Sequence, residues 1–180
     1  MAQDATPPAV DRVRGQGADD QAQGADGQVR WLTPDEQVAW RAYLRGSRLI
    51  ATALDEGLTQ HGTRLTEYEI LSMLSEAPGG RLRMSALAQL VVQSRSRLTH
   101  TATRLERLGW VQRRAVREDR RGVELSLTPA GRAVLERLSE VHVSDVRRVL
   151  LDRLTPEEFT ALGRAMARIV EANDVSEEEC

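Results

Sequence analysis

Twelve arginines and only four acids (Glu106, Glu118, Asp119 and Glu124) stand between Arg81 and Arg132. That stretch carries +8 in a chain of net charge −2, so the other 128 residues sum to −10. Buried cores do not hold such an excess, whereas a surface that meets a polyanion needs it. All 25 basic residues are arginine. Codon usage in a GC-rich genome accounts for that more readily than selection does. Either way, every cation is a planar fork able to bind phosphate or guanine bidentately.

The arginines sit on a frame of short elements. Ser85–Val91 predicts a short helix, a turn follows near Val92-Gln93, and Ser94 can cap a further helix reaching about Leu108. On that helix Leu98, Ala102, Leu105 and Leu108 recur at helical spacing, which leaves Arg95, Arg97, Thr99, His100, Thr103 and Arg104 outward. Gly109 closes it. The period then changes to two. Trp110–Val116 and Val123–Leu127 read as strands around a charged turn, Arg117–Gly122. A helix–turn–helix followed by a two-stranded hairpin is a winged helix.

In such a lobe the second helix enters the major groove with its early residues at base edges. Those residues are Arg95, Ser96, Arg97, Thr99 and His100. An arginine bridging guanine O6 and N7 discriminates by roughly 1–3 kcal/mol. Ser94 and Thr99 suit phosphate oxygens, which set register. Arg117, Arg120 and Arg121 at the wing tip suit a backbone or a narrow minor groove. Thr103 and Arg104 complete the candidate recognition surface.

Helices flank the lobe. Thr33-Pro34-Asp35-Glu36 starts a long amphipathic helix carrying Trp40, Tyr43, Leu44, Ile50, Leu54 and Leu58, which Gln60-His61-Gly62 ends. Thr66-Glu67-Tyr68-Glu69 reads as a second capping box, and Pro78-Gly79-Gly80 stops that helix. Thr128-Pro129 opens a helix to about Arg153, and Thr155-Pro156-Glu157-Glu158 opens the last. The terminal helices carry more apolar residues than one lobe needs to cover itself, which predicts dimerisation.

The expected fold is therefore mainly α with a two-stranded β-wing: a winged helix–turn–helix lobe at about 63–128, with dimerisation helices at about 34–60 and 129–172. Residues 1–30 lack Leu, Ile and aromatic side chains, and 173–180 are polar, so both ends are expected to be disordered.

The runs Leu65–Leu74, Leu87-Ala88, Arg104–Val111 and Arg113 resemble the MarR family of bacterial transcriptional regulators. So does the wing run Glu118–Thr128 with its following Pro129-Ala130-Gly131-Arg132. The resemblance covers about 33–172. It implies a homodimer whose first and last two helices interlock, with two lobes straddling a pseudo-palindromic duplex. It also implies repression and release by a small aromatic molecule. Asp119 would brace the wing and Arg121 would reach the minor groove, a carboxylate fixing the guanidinium beforehand.

At the helix–turn–helix turn the chain departs from the family. Val92 stands where glycine is common, and Gln93 where an apolar residue is usual. A differently shaped turn is therefore expected. The reactive cysteine of the peroxide-sensing branch is absent from the first helix.

Trp40, Tyr43 and Tyr68, with Met73, are candidates for a ligand cleft, against ordinary packing. His61, His100 and His142 fall on separate elements, a weak metal case, and His142 reads as a surface or interface residue. The single cysteine, Cys180, supports neither a disulfide framework nor a Cys-based metal site.

No glycine-rich phosphate loop, Gly-x-Ser-x-Gly elbow or His-Glu-x-x-His occurs, so neither an enzyme nor a cofactor is expected. No run approaches the roughly 20 apolar residues of a membrane span, which points to a cytoplasmic protein. The expected partner is double-stranded DNA. A winged-helix protein-interaction module and a nonspecific architectural DNA binder are the alternatives.

Overall fold

The computed structural model describes residues 29–116 and 119–173, with backbone alone for 119–121. The expectations for the head, the tail, Arg117 and Cys180 fall on residues outside the described ones.

The chain divides at Ala39/Trp40. In the first unit, the start of α1 (Pro34–Thr59) forms a reciprocal capping box. The Thr33 N–H donates to Glu36 Oε2 at 2.8 Å, and the Glu36 N–H donates to Thr33 Oγ1 at 3.2 Å.

The second unit holds the rest of α1, then α2 (Leu65–Glu76), β1 (Arg81–Arg83), α3 (Met84–Leu90) and α4 (Arg95–Arg107). After these come β2 (Val111–Val116), β3 (Asp119–Leu127), α5 (Pro129–Val149) and α6 (Pro156–Asn173). Its core gathers Leu58 of α1, Ile70, Leu71 and Leu74 of α2, Leu87 of α3, and Leu98, Ala102 and Leu105 of α4. Val111, Leu125, Leu135 and Leu138 close it from the sheet and α5. Leu108, expected on the buried stripe, is 42% exposed because it is the C-cap, past the last inward turn.

The wing differs from the expected hairpin in two ways. β1 adds a third antiparallel strand, giving the order β1-β3-β2 with Leu82 opposite Leu125. In addition, β3 begins at Asp119, inside the stretch read as a turn, and a register irregularity falls between Ala115 and Val116. Such irregularities bend and twist a strand.

The cap of α2 also shifts. The helix starts at Leu65 with Arg64 as N-cap, and Glu67 rather than Glu69 reaches back to the cap, accepting from the Arg64 N–H at 3.0 Å. α5 is capped by Thr128, whose Oγ1 accepts from the Gly131 N–H at 3.0 Å. A Cβ on Gly131 would lie 2.0 Å from the Trp110 carbonyl oxygen, so only glycine lets α5 start this close to the strand entry. α6 repeats the reciprocal box through Thr155 and Glu158.

Candidate nucleic-acid interface

α4 owes its position to both of its ends. Ser94 is extended and its Oγ accepts from the Arg97 N–H at 3.3 Å, as an N-cap should. At the other end Gly109 (φ 74°) donates to the Glu106 carbonyl, and Trp110 donates to that of Leu105. That pair of bonds is a Schellman close. Leu98, Ala102 and Leu105 are fully buried, which fixes which face turns outward.

That outer face carries Ser94, Arg95, Ser96, Arg97, Thr99 and His100, all exposed. Ser96, Thr99, His100, Thr103, Arg104 and Arg107 line an open groove of about 510 Å³ along it. Thr99 donates its hydroxyl to the Arg95 carbonyl at 2.8 Å, and Thr103 donates to that of Thr99 at 2.8 Å. Ser94 Oγ is used as an acceptor, so its proton remains suited to a phosphate oxygen. Thr99 would have to rotate its hydroxyl to serve one.

Thr103 and Arg104 line the groove but bond back onto the protein. Thr103 Oγ1 accepts from Arg113 Nη2 at 2.9 Å. Arg104 Nε donates to Glu67 Oε1. Three residues to which the sequence alone assigns no such role thus hold the recognition helix: Glu67, Glu106 and Arg113. Arg113 reaches from β2 to α4 with a backbone and a guanidinium bond to Glu106 (3.1 and 2.9 Å) and a third to the Thr99 carbonyl (2.8 Å). The spacing Glu106…Arg113 across a glycine turn was the available signal, since it places an acid and a base on facing elements.

The turn before α4 keeps a left-handed residue. Val92 has φ 49°, with its N–H on the Gln89 carbonyl and the Gln93 N–H on that of Ala88. That is the pattern glycine would favour, so the expected change of turn shape does not occur. The side-chain amide of Gln93 is buried with no hydrogen-bond partner among the described residues.

On the wing, Asp119, Arg120 and Arg121 lie in the first residues of β3, and their side chains fall outside the described ones. Behind it, Arg81, Ser126 and Gln112 form one row across the sheet, and Arg83, Glu124 and Arg114 form the next.

The three candidate cleft residues do not meet within one chain. Trp40 and Tyr43 stack on each other, centroids 5.7 Å apart, and both are about half exposed. Tyr68 is in the core with Leu58, eighteen residues further along α1 than Trp40, or about 27 Å at 1.5 Å per residue. Tyr68 instead packs on His142 (centroids 4.4 Å) and its hydroxyl meets Ser139 Oγ at 3.3 Å. His142, expected at the surface or an interface, is half-buried there. Burial holds its imidazole below the usual histidine pKa, with Asp145 opposing.

Among the described residues no cluster of three or more His, Cys, Asp or Glu could hold a metal ion, and no helix is long and apolar enough to cross a membrane.

Comparisons with known proteins agree with this geometry. The MarR family model matches residues 61–122, from just after α1 into β3. The regulator PecS of Dickeya dadantii is 33% identical over 127 residues, covering 69% of this chain and 75% of PecS. The crystal structure of Sco3205 from Streptomyces coelicolor, a MarR family transcriptional regulator in complex with DNA, superposes with TM-score 0.79. It is 40% identical and covers 86% of this chain and 97% of that one. AbsC of the same organism gives TM-score 0.74 at 42% identity, covering 80% and 97%. With its helical frame, capped α4 and three-stranded wing, the chain belongs to the MarR family of transcriptional regulators.

Proposed function

We propose that this DNA-binding regulator acts as a homodimeric repressor on a pseudo-palindromic duplex. The exposed face of α4 carries the reading: Arg95, Arg97 and His100 project from a helix whose opposite face is fully buried. Arg97 and its neighbours reach base edges in the major groove, and Ser94 positions a phosphate. Arg117, Arg120 and Arg121 take the wing contact to the backbone or minor groove, with Asp119 bracing Arg121. Support for DNA as the partner includes Sco3205, 40% identical and solved with DNA. Two lobes related by a two-fold axis read half-sites about one helical turn apart.

The dimer reading is supported by apolar side chains left uncovered in the second unit: Leu49 on α1, and Phe159, Ile169 and Val170 on α6. Release by a small planar aromatic ligand rests on the half-exposed Trp40–Tyr43 stack, a surface suited to a third ring. Tryptophan fluorescence titrated with a benzoate-type acid tests it; no quenching and no loss of DNA binding would remove the ligand.

The deciding experiment is fluorescence anisotropy with duplex from upstream of the chain's own gene, against a scrambled duplex, across a salt series. The native fragment should win by about 10³-fold or more. Its log affinity should fall with log salt by about 0.9 per phosphate contacted. Equal binding to both duplexes would make the chain an architectural binder, and no binding to either at low salt would favour a protein-interaction module. A reporter driven by the same fragment should lose expression when the chain is supplied; a rise would overturn repression.

A further inference from the structure

Glu67 is only 2% exposed, and a carboxylate is costly to bury unless its oxygens are matched. Helix capping does not explain the burial. The equivalent glutamates of α1 and α6, Glu36 and Glu158, cap equally well in solvent against threonine. At α2 the cap residue is Arg64, and only one oxygen of Glu67 serves it. The other oxygen accepts from Arg104 Nε, 37 residues away on α4. Arg104 remains half exposed, with Nη2 at 3.5 Å from the Gly62 carbonyl, and it lines the groove along the outer face of α4.

The link continues to α1. Asp55 accepts from the Leu65 N–H at 2.8 Å and from Arg64 Nη1 at 2.9 Å. The end of α1, the start of α2 and the middle of α4 are thereby joined through three side chains, Asp55, Arg64 and Glu67, to a fourth, Arg104.

We infer that Glu67 is a positioning residue that sets DNA specificity. It fixes the rotation of α4 against α2, and it withholds the charge of Arg104 from indiscriminate phosphate binding. An arginine in this groove with no carboxylate behind it would attract any duplex backbone, adding affinity without information. Neutralised on Nε, Arg104 contributes geometry rather than a phosphate contact. The inference rests on α4 being the DNA-reading helix.

The test is anisotropy on native and scrambled duplexes across a salt series, with thermal unfolding measured in parallel. Wild type must first discriminate the two duplexes; if it does not, the reading of α4 fails before this one is reached. Glu67→Gln keeps the side-chain shape and the cap. It should bind scrambled DNA several-fold more tightly at low salt. Its salt slope should steepen by about 0.9 for each protomer bound. The native-to-scrambled ratio should fall about tenfold. An unchanged slope and ratio with a lowered unfolding temperature would reduce Glu67 to a structural cap and overturn the inference.

The double variant Glu67→Gln, Arg104→Gln removes the buried mismatch and reads the same point independently. Its slope should match wild type. A slope shallower by about 0.9 would mean that Arg104 already holds a phosphate in the wild-type protein, which also overturns the inference.

Discussion

Arg113 on β2 grips Glu106 on α4 twice, its backbone N–H on Oε1 at 3.1 Å and its Nη1 on Oε2 at 2.9 Å. Its Nη2 then donates to the Thr99 carbonyl and to Thr103 Oγ1. One side chain therefore ties the wing to the recognition helix at two successive turns. Arg113→Gln should destabilise the lobe by about 1–3 kcal/mol, the range for losing charge-assisted bonds at a part-buried site. DNA affinity should fall further than the unfolded fraction accounts for, because wing and helix no longer share one geometry. Urea unfolding alongside anisotropy checks this. Stability and affinity both at wild-type level would show that the clamp does nothing.

The turn between α3 and α4 holds two locally unfavourable residues. Val92 adopts φ 49°, a left-handed conformation that costs an L-residue with a Cβ roughly 1–2 kcal/mol. Gln93 buries an amide with no hydrogen-bond partner among the described residues. Gln93→Leu should raise stability by about 1 kcal/mol or more, since an unsatisfied polar group is removed. Val92→Gly should add about 0.5 kcal/mol, the strain relief being partly offset by glycine's greater entropy when unfolded. The urea midpoint should rise in each case with an unchanged m-value. A lower midpoint for Gln93→Leu would mean the amide is satisfied in solution.

What was legible in the sequence was whatever repeats or caps. The leucines of α4 give its inward face, and Thr33, Ser94, Thr128 and Thr155 mark true helix starts. β1 escaped because three residues, Arg81-Leu82-Arg83, hold a single apolar position, too few for a period to show. The α2 cap escaped because Arg64 has no capping signature; only tertiary structure reveals that Glu67 faces inward. The candidate surface of α4 followed from periodicity. Its inner supports did not, because Glu67–Arg104 and Glu106–Arg113 depend on how elements pack. Trp40, Tyr43 and Tyr68 have the right residue types for a cleft, but helix length separates them.

His142 gives the fold a pH dependence with a definite sign. Burial against Tyr68 lowers its pKa from 6.5, and its Nδ1 is buried without a partner among the described residues. The unfolded chain takes up the proton near 6.5, while the folded chain resists it until lower pH. Stability from this site is therefore complete above 6.5 and is lost as pH falls through the folded value. Glu69, whose burial raises its carboxyl above 4.5, acts with the opposite sign and begins in the carboxylate range. Comparing His142→Phe with wild type isolates the histidine. The variant, which keeps a ring on Tyr68, should show a flatter stability profile between about pH 5 and 7. Parallel profiles would mean that His142 titrates as in water.

The terminal helices supply the last prediction. α6 buries none of its residues, and Ile169 and Val170 are 52% and 61% exposed. A helix with such a face is marginal alone in water and draws its stability from packing. Under the dimer reading, Ile169 is covered by a second copy of the chain, and a charge there would be desolvated without a partner. Ile169→Asp should convert the dimer to monomer by light scattering while the lobe keeps its helical circular dichroism. The same variant should lose most of its affinity for a two-half-site duplex, and its salt slope should drop by about half, because each lobe then neutralises its own phosphates alone. A dimer of unchanged affinity would place the interface elsewhere. A protein that is monomeric before the substitution would remove the two-lobed arrangement and leave a single winged lobe reading one half-site.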